Sequence, residues 1–178
     1  MTLDPEQLRH AMRAWTTGVV VVTAVHGDQR YGMTVNSFTS ISLEPPLVSV
    51  TLKQLTHTHE LVEKSGGFSV TILSSHQKDL SERFAGKFPD ILDRFEGVET
   101  ETLSMNTQLI KGGMAYFDCR VVNTFHVGEN TLFVAEVIDA RGEGDGDPLV
   151  YHNRFYWKLA PTQPSPKSRE LGGGKGRG

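Results

Sequence analysis

Hydrophobic and polar positions change period several times along the chain, and the changes mark its elements. Leu8, Ala11, Met12 and Trp15 fall on one helical face behind Asp4-Pro5, an N-cap followed by proline at the first helical position, so a short amphipathic helix is expected there. Val19 to Val25 is β-branched enough for a buried strand, and Gly27-Asp28 is a hairpin turn into the next one. In that next strand Thr34, Asn36, Ser37, Thr39, Ser40 and Ser42 alternate with Val35, Phe38 and Ile41. One face can enter a core while the other presents hydroxyl and amide groups. Such a strand suits a flat, polar-edged ligand. Glu44-Pro45-Pro46 must end the pairing, because proline lacks the amide hydrogen a ladder requires.

Leu47 to Lys53 reads as a third strand, and Thr56 to Ser65 as a helix with Leu61 and Val62 inward, closed by Gly66-Gly67. Phe68 to Leu73 returns as a strand. Leu80, Phe84 and Ala85 fit a helix ending at Gly86, and Phe88, Ile91, Leu92 and Phe95 suggest a further apolar turn around Pro89. Ala115 to Val127 and Thr131 to Ala140 are strand-like runs separated by a hairpin at Gly128-Glu129-Asn130. A loop is expected over 142–147, after which Leu149 to Tyr151 and Arg154 to Leu159 finish the body. The pattern predicts one mainly β domain over residues 1–160, predominantly antiparallel, with a few peripheral helices. The close, regular spacing of its strands points to a barrel. From Pro161 to Gly178 the chain is rich in glycine, proline and basic residues and is expected to be a disordered tail.

Composition narrows the classes. The 178 residues suit a single domain with one sizeable core, and a net charge of -3 without a basic cluster in the body argues against nucleic acid. No apolar run is long enough for a bilayer crossing, and the charged N-terminus lacks the apolar segment of a secretory signal, so the cytoplasm is the expected address. The single cysteine, Cys119, fits a reducing compartment and reads as a small core residue. No Gly-x-Gly-x-x-Gly follows any strand and no Walker loop is present, so a nucleotide would have to bind on another scaffold. His57 and His59 lack the third ligand that a metal site needs.

A series of blocks in order carries more than any single pattern. These are Thr16-Thr-Gly-Val19, Gly32-Met-Thr-Val-Asn-Ser-Phe-Thr-Ser40, Ser42-Leu-Glu-Pro-Pro-Leu-Val48, Ser65-Gly-Gly-Phe68, Arg83-Phe-Ala-Gly86, Phe117-Asp-Cys119, Phe133-Val-Ala-Glu-Val137 and Pro148-Leu-Val-Tyr151. Together they resemble the short-chain flavin reductases, the reductase components of two-component flavin monooxygenases, from about Leu8 to Leu159. The resemblance implies a Greek-key split β-barrel, the FMN-binding split barrel, working as a homodimer. It implies hydride transfer from NADH or NADPH to FMN or FAD, with the reduced flavin diffusing to a separate monooxygenase.

Carried over by position, the resemblance makes Met33, Thr34, Val35, Asn36 and Ser37 contacts of the flavin ring and ribityl chain, with Thr39 and Ser40 nearby. Short hydroxyl and amide groups meet the polar edge of such a ring without filling the pocket. It puts the flavin phosphate at Lys53, Thr56 and Thr58, where a positive charge and hydroxyls meet a helix start. Taken alone, that stretch is a weak signal, because it is more often an ordinary helix cap. Arg83 would add charge and Phe84 would border the ring, against the plainer reading of a surface arginine and a core phenylalanine.

On the nicotinamide side the chain departs from the family. Many members carry Gly-Asp-His where this chain has Gly128-Glu129-Asn130, and Asn130 donates a hydrogen bond but carries no charge. His126 is a substitute, and His152, Arg154 and Tyr156 are further candidates for the pocket wall. Hydride transfer itself calls for positioning rather than a catalytic acid or base. Two other readings remain open on the sequence: a barrel that keeps FMN as a bound group for electron transfer and reacts poorly with NAD(P)H, and a dimeric barrel with no cofactor.

Overall fold

The computed structural model describes residues 3–143 and 146–160. Twelve strands and three helices form among the described residues. The first elements are α1 (Pro5–Met12), β1 (Thr17–Gly18), β2 (Val20–His26), β3 (Gln29–Val35), β4 (Thr39–Leu43) and β5 (Pro46–Lys53). There follow α2 (His57–Ser65), β6 (Gly67–Ile72), α3 (Lys78–Phe84), β7 (Thr100–Glu101) and β8 (Leu109–Ile110). The chain then forms the long hairpin β9 (Ala115–Val127) and β10 (Asn130–Gly142), and closes with β11 (Val150–His152) and β12 (Phe155–Trp157). The expected tail at 161–178 lies outside the described residues, as do Gly144 and Asp145 of the expected loop.

Seven strands form one antiparallel sheet in the order β3-β2-β6-β9-β10-β5-β4, and a smaller sheet runs β1-β11-β12. The two edge strands of the large sheet, β3 and β4, are separated in the chain only by Asn36, Ser37 and Phe38. That link spans at most about 14 Å of extended chain, whereas six strand spacings in a flat sheet would cover about 29 Å. The sheet must therefore curl until its edges approach. No β3–β4 ladder closes it among the described residues, and the result is a barrel split along that seam.

This corrects one expectation. The polar alternation from Thr34 to Ser42 is not one strand but two, with Asn36 to Phe38 crossing the seam between them. Ser37 stitches the crossing to β5: its hydroxyl donates to the Thr51 carbonyl at 2.8 Å and accepts from the Thr51 amide at 3.2 Å. The prolines stand in the tight turn from β4 to β5, where Pro46 opposes Leu43.

Two apolar layers meet on β2. Val20, Val22 and Ala24 enter the barrel with Val50, Leu52, Phe68, Val70, Cys119 and Phe133, and Leu61 and Val62 of α2 cap that interior. Val19 and Val21 point the other way, into a layer with Leu73, Phe84, Phe95, Ile110 and Leu149. A strand buried on both faces shows a continuous apolar run rather than alternation. The helical turn expected around Pro89 is irregular instead: only Phe95 of its apolar positions is buried, while Leu92 is exposed. Gly66 closes α2 at a φ of 69°, as its position after the last turn required.

The N-terminal helix forms with its expected cap, the Asp4 carboxylate accepting from the Glu6 amide at 3.0 Å. Its apolar face is not covered, however. Leu8, Met12 and Trp15 remain 52%, 53% and 66% exposed.

Candidate functional site

The expected ligand residues separate into two groups. At one end, Thr34, Val35 and Asn36 meet Tyr151 and Tyr156 around a cavity of about 200 Å³, with Ala85 and Lys87 at its rim. Asn36 and Tyr151 also line an adjoining cavity of about 490 Å³ that opens beneath α1 and holds Arg13 and Arg154. The two spaces share Asn36 and Tyr151 in their walls, beside the seam of the barrel. The larger falls in the usual size range of small-molecule sites.

Hydrogen bonds fix the walls of this cleft. The Thr34 hydroxyl donates to the Ser81 carbonyl at 2.7 Å, which holds α3 against β3. The Ser81 hydroxyl pairs with the Tyr156 hydroxyl at 2.9 Å, and the Tyr151 and Tyr156 rings stand edge to face at 5.5 Å. His152 is turned away, its Nδ1 2.8 Å from the Thr16 hydroxyl. Lys87 lies 5.7 Å from the Tyr156 ring centre and 2.9 Å from a Glu82 carboxylate oxygen. The hydrogen bond to Glu82 raises the Lys87 pKa, so the ammonium stays charged beside the cleft. Met33 packs against the barrel interior from β3. Thr39 and Ser40 are exposed on β4.

At the other end, Asn130 opposes Lys53 in the β5–β10 ladder, and Lys53 pairs loosely with Glu129 at 3.7 Å. Thr56 stands at the N-cap of α2 but makes no side-chain cap bond; its hydroxyl donates to the Lys53 carbonyl at 2.9 Å. His126 Nδ1 approaches the buried Thr131 hydroxyl at 3.1 Å, and His59 Nε2 meets the same hydroxyl at 2.8 Å. The cavities at Asn36 are not lined by any of these residues, so His126 and Asn130 do not share a pocket with Arg154 and Tyr156 within one chain.

Three expected contacts are spent on the fold. Phe84 is fully buried, edge-on to Phe95 at 5.0 Å, and has no face left for a ring. The Arg83 guanidinium donates to the Asp93 and Glu96 carbonyls at 3.2 and 2.6 Å, stapling the segment after α3. Thr58 is fully buried, so its side chain does not open toward a phosphate, and its hydroxyl has no hydrogen-bond partner among the described residues. For Phe84 and Thr58, helical periodicity put the residue on the buried face of its helix, whereas Arg83 lies half-buried beside Phe84 and is held by backbone carbonyls.

Sequence reasoning missed Tyr151, Lys87 and Arg13. Lys87 follows the Gly86 stop signal of α3, which was the available cue. Arg13 and Tyr151 come together only through the tertiary fold. The donor set of the cleft suits a planar heteroaromatic ring: a carboxamide at Asn36, a phenol at Tyr156, a charged ammonium at Lys87 and an apolar floor of Val19 and Val35.

Comparison with known proteins identifies the family of the chain. The sequence model described as flavin reductase like domain matches residues 12–160. The chain is 32% identical over 167 residues to the reductase subunit of a flavin-dependent monooxygenase from Mycobacterium tuberculosis, covering 92% of this chain and 87% of that one. It is 37% identical over 157 residues to an FMN reductase (NADH) of Agrobacterium fabrum, covering 88% and 87%. Among solved structures, flavin reductase PheA2 in its native state superposes with a TM-score of 0.82 at 36% identity, over 89% of this chain and all of that one, 100%.

Proposed function

The chain belongs to the flavin reductase like family, and from that premise we propose that it reduces FMN or FAD with NADH and releases the reduced flavin to a separate monooxygenase. The observation that supports the site is the pair of neighbouring cavities that share Asn36 and Tyr151, one of them also lined by Thr34, Tyr156 and Lys87. The flavin acts as substrate: a hydride passes from the dihydronicotinamide to flavin N5 and a proton comes from water, leaving NAD⁺ and reduced flavin.

The chain's contribution to that reaction is position and charge. Asn36 offers donor and acceptor at the ring edge. Tyr156, held by Ser81, fixes one wall at 2.9 Å. Lys87 keeps a positive charge where a reduced flavin gathers negative charge. Residues 1–160 form the reductase domain in this reading, which the span of the family match supports.

A second copy of the chain covers the outer face of the long hairpin in this reading. Val122, Phe125 and Val127 of β9, Ile138 of β10, and Ile41 and Leu43 of β4 are all exposed apolar side chains. Burial against a second copy would remove these side chains from water. Pairing of two chains would also bring the Lys53 and His126 end of one near the other's surface. The cytoplasm is the address in this proposal: no helix among the described residues is long and apolar enough to cross a membrane, and the single thiol is buried.

The test is NADH oxidation followed anaerobically with and without added FMN, then FAD. Turnover of many equivalents of flavin per chain supports a reductase that releases its product. Binding of flavin without NADH-dependent bleaching overturns that reading. Light scattering on an eluting column peak checks the second copy, and a monomer at micromolar concentration refutes it.

A further inference from the structure

Three arginines and a single carboxylate surround the larger cavity. Arg9 is spent on Glu6, one turn earlier on α1. Arg13 and Arg154 form no ion pair or side-chain hydrogen bond among the described residues, and both face the same space as Asn36 and Tyr151. Both side chains are exposed, and two like charges beside one cavity raise the local positive potential, which attracts an anion.

The backbone gives a second, independent sign. Asn153 and Arg154 are the two central residues of the β11–β12 hairpin, closed by the His152 and Phe155 pair, with φ of 47° and 68°. Such a primed turn favours Asn-Gly, because the second residue must adopt a left-handed conformation that a side chain disfavours. This chain carries arginine at that position. The turn is also fixed to the helix: the Asn153 amide donates to the Arg13 carbonyl at 3.1 Å. Arg13 and Arg154 are thereby held on two sides of one opening, at the far end of the cleft from Lys87.

We propose that Arg13 and Arg154 form a clamp for the phosphate groups of a nucleotide whose ring lies toward Asn36. The proposal rests on the reductase reading for the identity of the nucleotide, but the clamp itself is a site for an organic phosphate or diphosphate. Guanidinium groups suit phosphate oxygens because their donors are planar and permanently charged. The source is either the diphosphate of the reduced nicotinamide or the phosphate of the flavin.

The experiment compares the full chain with Arg13→Ala, Arg154→Gly and the double variant. Calorimetry with inorganic pyrophosphate reads the clamp without any turnover. Fluorescence titration with FMN and riboflavin, and the KM for NADH, name its source. The double variant is expected to lose pyrophosphate binding. Each single loss should weaken the natural ligand about tenfold, as expected for one charge-assisted contact. A raised KM for NADH with FMN affinity unchanged assigns the clamp to the donor, and lost preference for FMN over riboflavin assigns it to the flavin. Arg154→Gly is expected to raise Tm by about 2–4 °C, since glycine relieves the left-handed turn, so weakened binding in that variant is not unfolding. Equal affinities for pyrophosphate, FMN and NADH in the wild type and the double variant overturn the clamp even if reductase activity is intact. No reductase activity, with pyrophosphate bound by the wild type alone, upholds the clamp and overturns the reductase reading.

Discussion

Gly32 lies so close to Phe84 that a Cβ built on it would meet Phe84 Cε1 at 2.7 Å and Cδ1 at 2.8 Å. The contact presses β3 against α3 one residue before Met33, and Phe84 shares its apolar layer with Val19 of the cleft floor. Arg94 reinforces the junction by donating to both the Gly32 carbonyl, at 3.0 Å, and the Phe84 carbonyl, at 2.7 Å.

Gly32→Ala is therefore expected to destabilise the protein by about 1–3 kcal/mol, the usual range for overpacking a filled core. At the size of this chain each kcal/mol lowers Tm by about 2–4 °C. A calorimetric scan checks it, and an unchanged Tm would mean that α3 shifts freely against β3.

Asp118 is a fully buried carboxylate that accepts from the Ser69 hydroxyl and from the Met105 amide, each at 2.6 Å. It ties β6 and the segment before β8 to β9. Asp118→Ala leaves both donors without a partner, and the expected loss is about 2–4 kcal/mol from two unsatisfied buried groups. Ser69→Ala should cost less, because it removes one donor and leaves the Met105 contact. Urea unfolding of both variants orders the two effects.

The Cys119 thiol is fully buried, and desolvation, with the nearby Asp118 second, raises its pKa from 9.0 to about 12. Unfolded chains release this proton near pH 9 while the native fold holds it. The native state then binds more protons than the unfolded state, so stability is full below about pH 9 and falls as pH rises toward 12. Cys119→Ala should flatten that part of the stability profile. Alkylation by iodoacetamide at pH 8 is expected to follow unfolding rather than native exposure.

At the cleft, Asn36→Ala removes an exposed carboxamide that makes no side-chain hydrogen bond within the described fold. It is expected to leave Tm within about 1 °C and to weaken flavin binding about tenfold. Tyr156→Phe breaks the 2.9 Å contact with Ser81 and should affect both quantities, costing about 1 kcal/mol of stability. Fluorescence quenching of FMN measures the affinities. Equal affinity in wild type and Asn36→Ala would move the flavin site elsewhere.

Much of this was legible in the chain because the signals are local. The Asp4-Pro5 start of α1, the Gly66 stop of α2, the turns at Gly27-Asp28 and Gly128-Glu129, and the apolar run of β2 each depend on dihedral preferences or burial of near neighbours. They appear where expected to within a residue or two. The short strands β1, β7 and β8 were invisible: two residues have no period, and each exists only because a distant partner pairs with it.

Site residues divide along the same line. The sequence by itself determined that the run from Thr34 carries a polar edge, and the order of motifs pointed to a flavin reductase. Only the tertiary structure decided that the polar run breaks at the barrel seam, because a three-residue link must join opposite edges of a seven-stranded sheet. It also decided that Phe84 and Thr58 are buried and Arg83 staples the segment after α3, while Tyr151, Lys87 and Arg13 face the cleft. A residue's type is set by its codon and its helix or strand face by its neighbours. What it meets across more than a hundred positions, as Thr16 meets His152, depends on how the sheet curls as a whole.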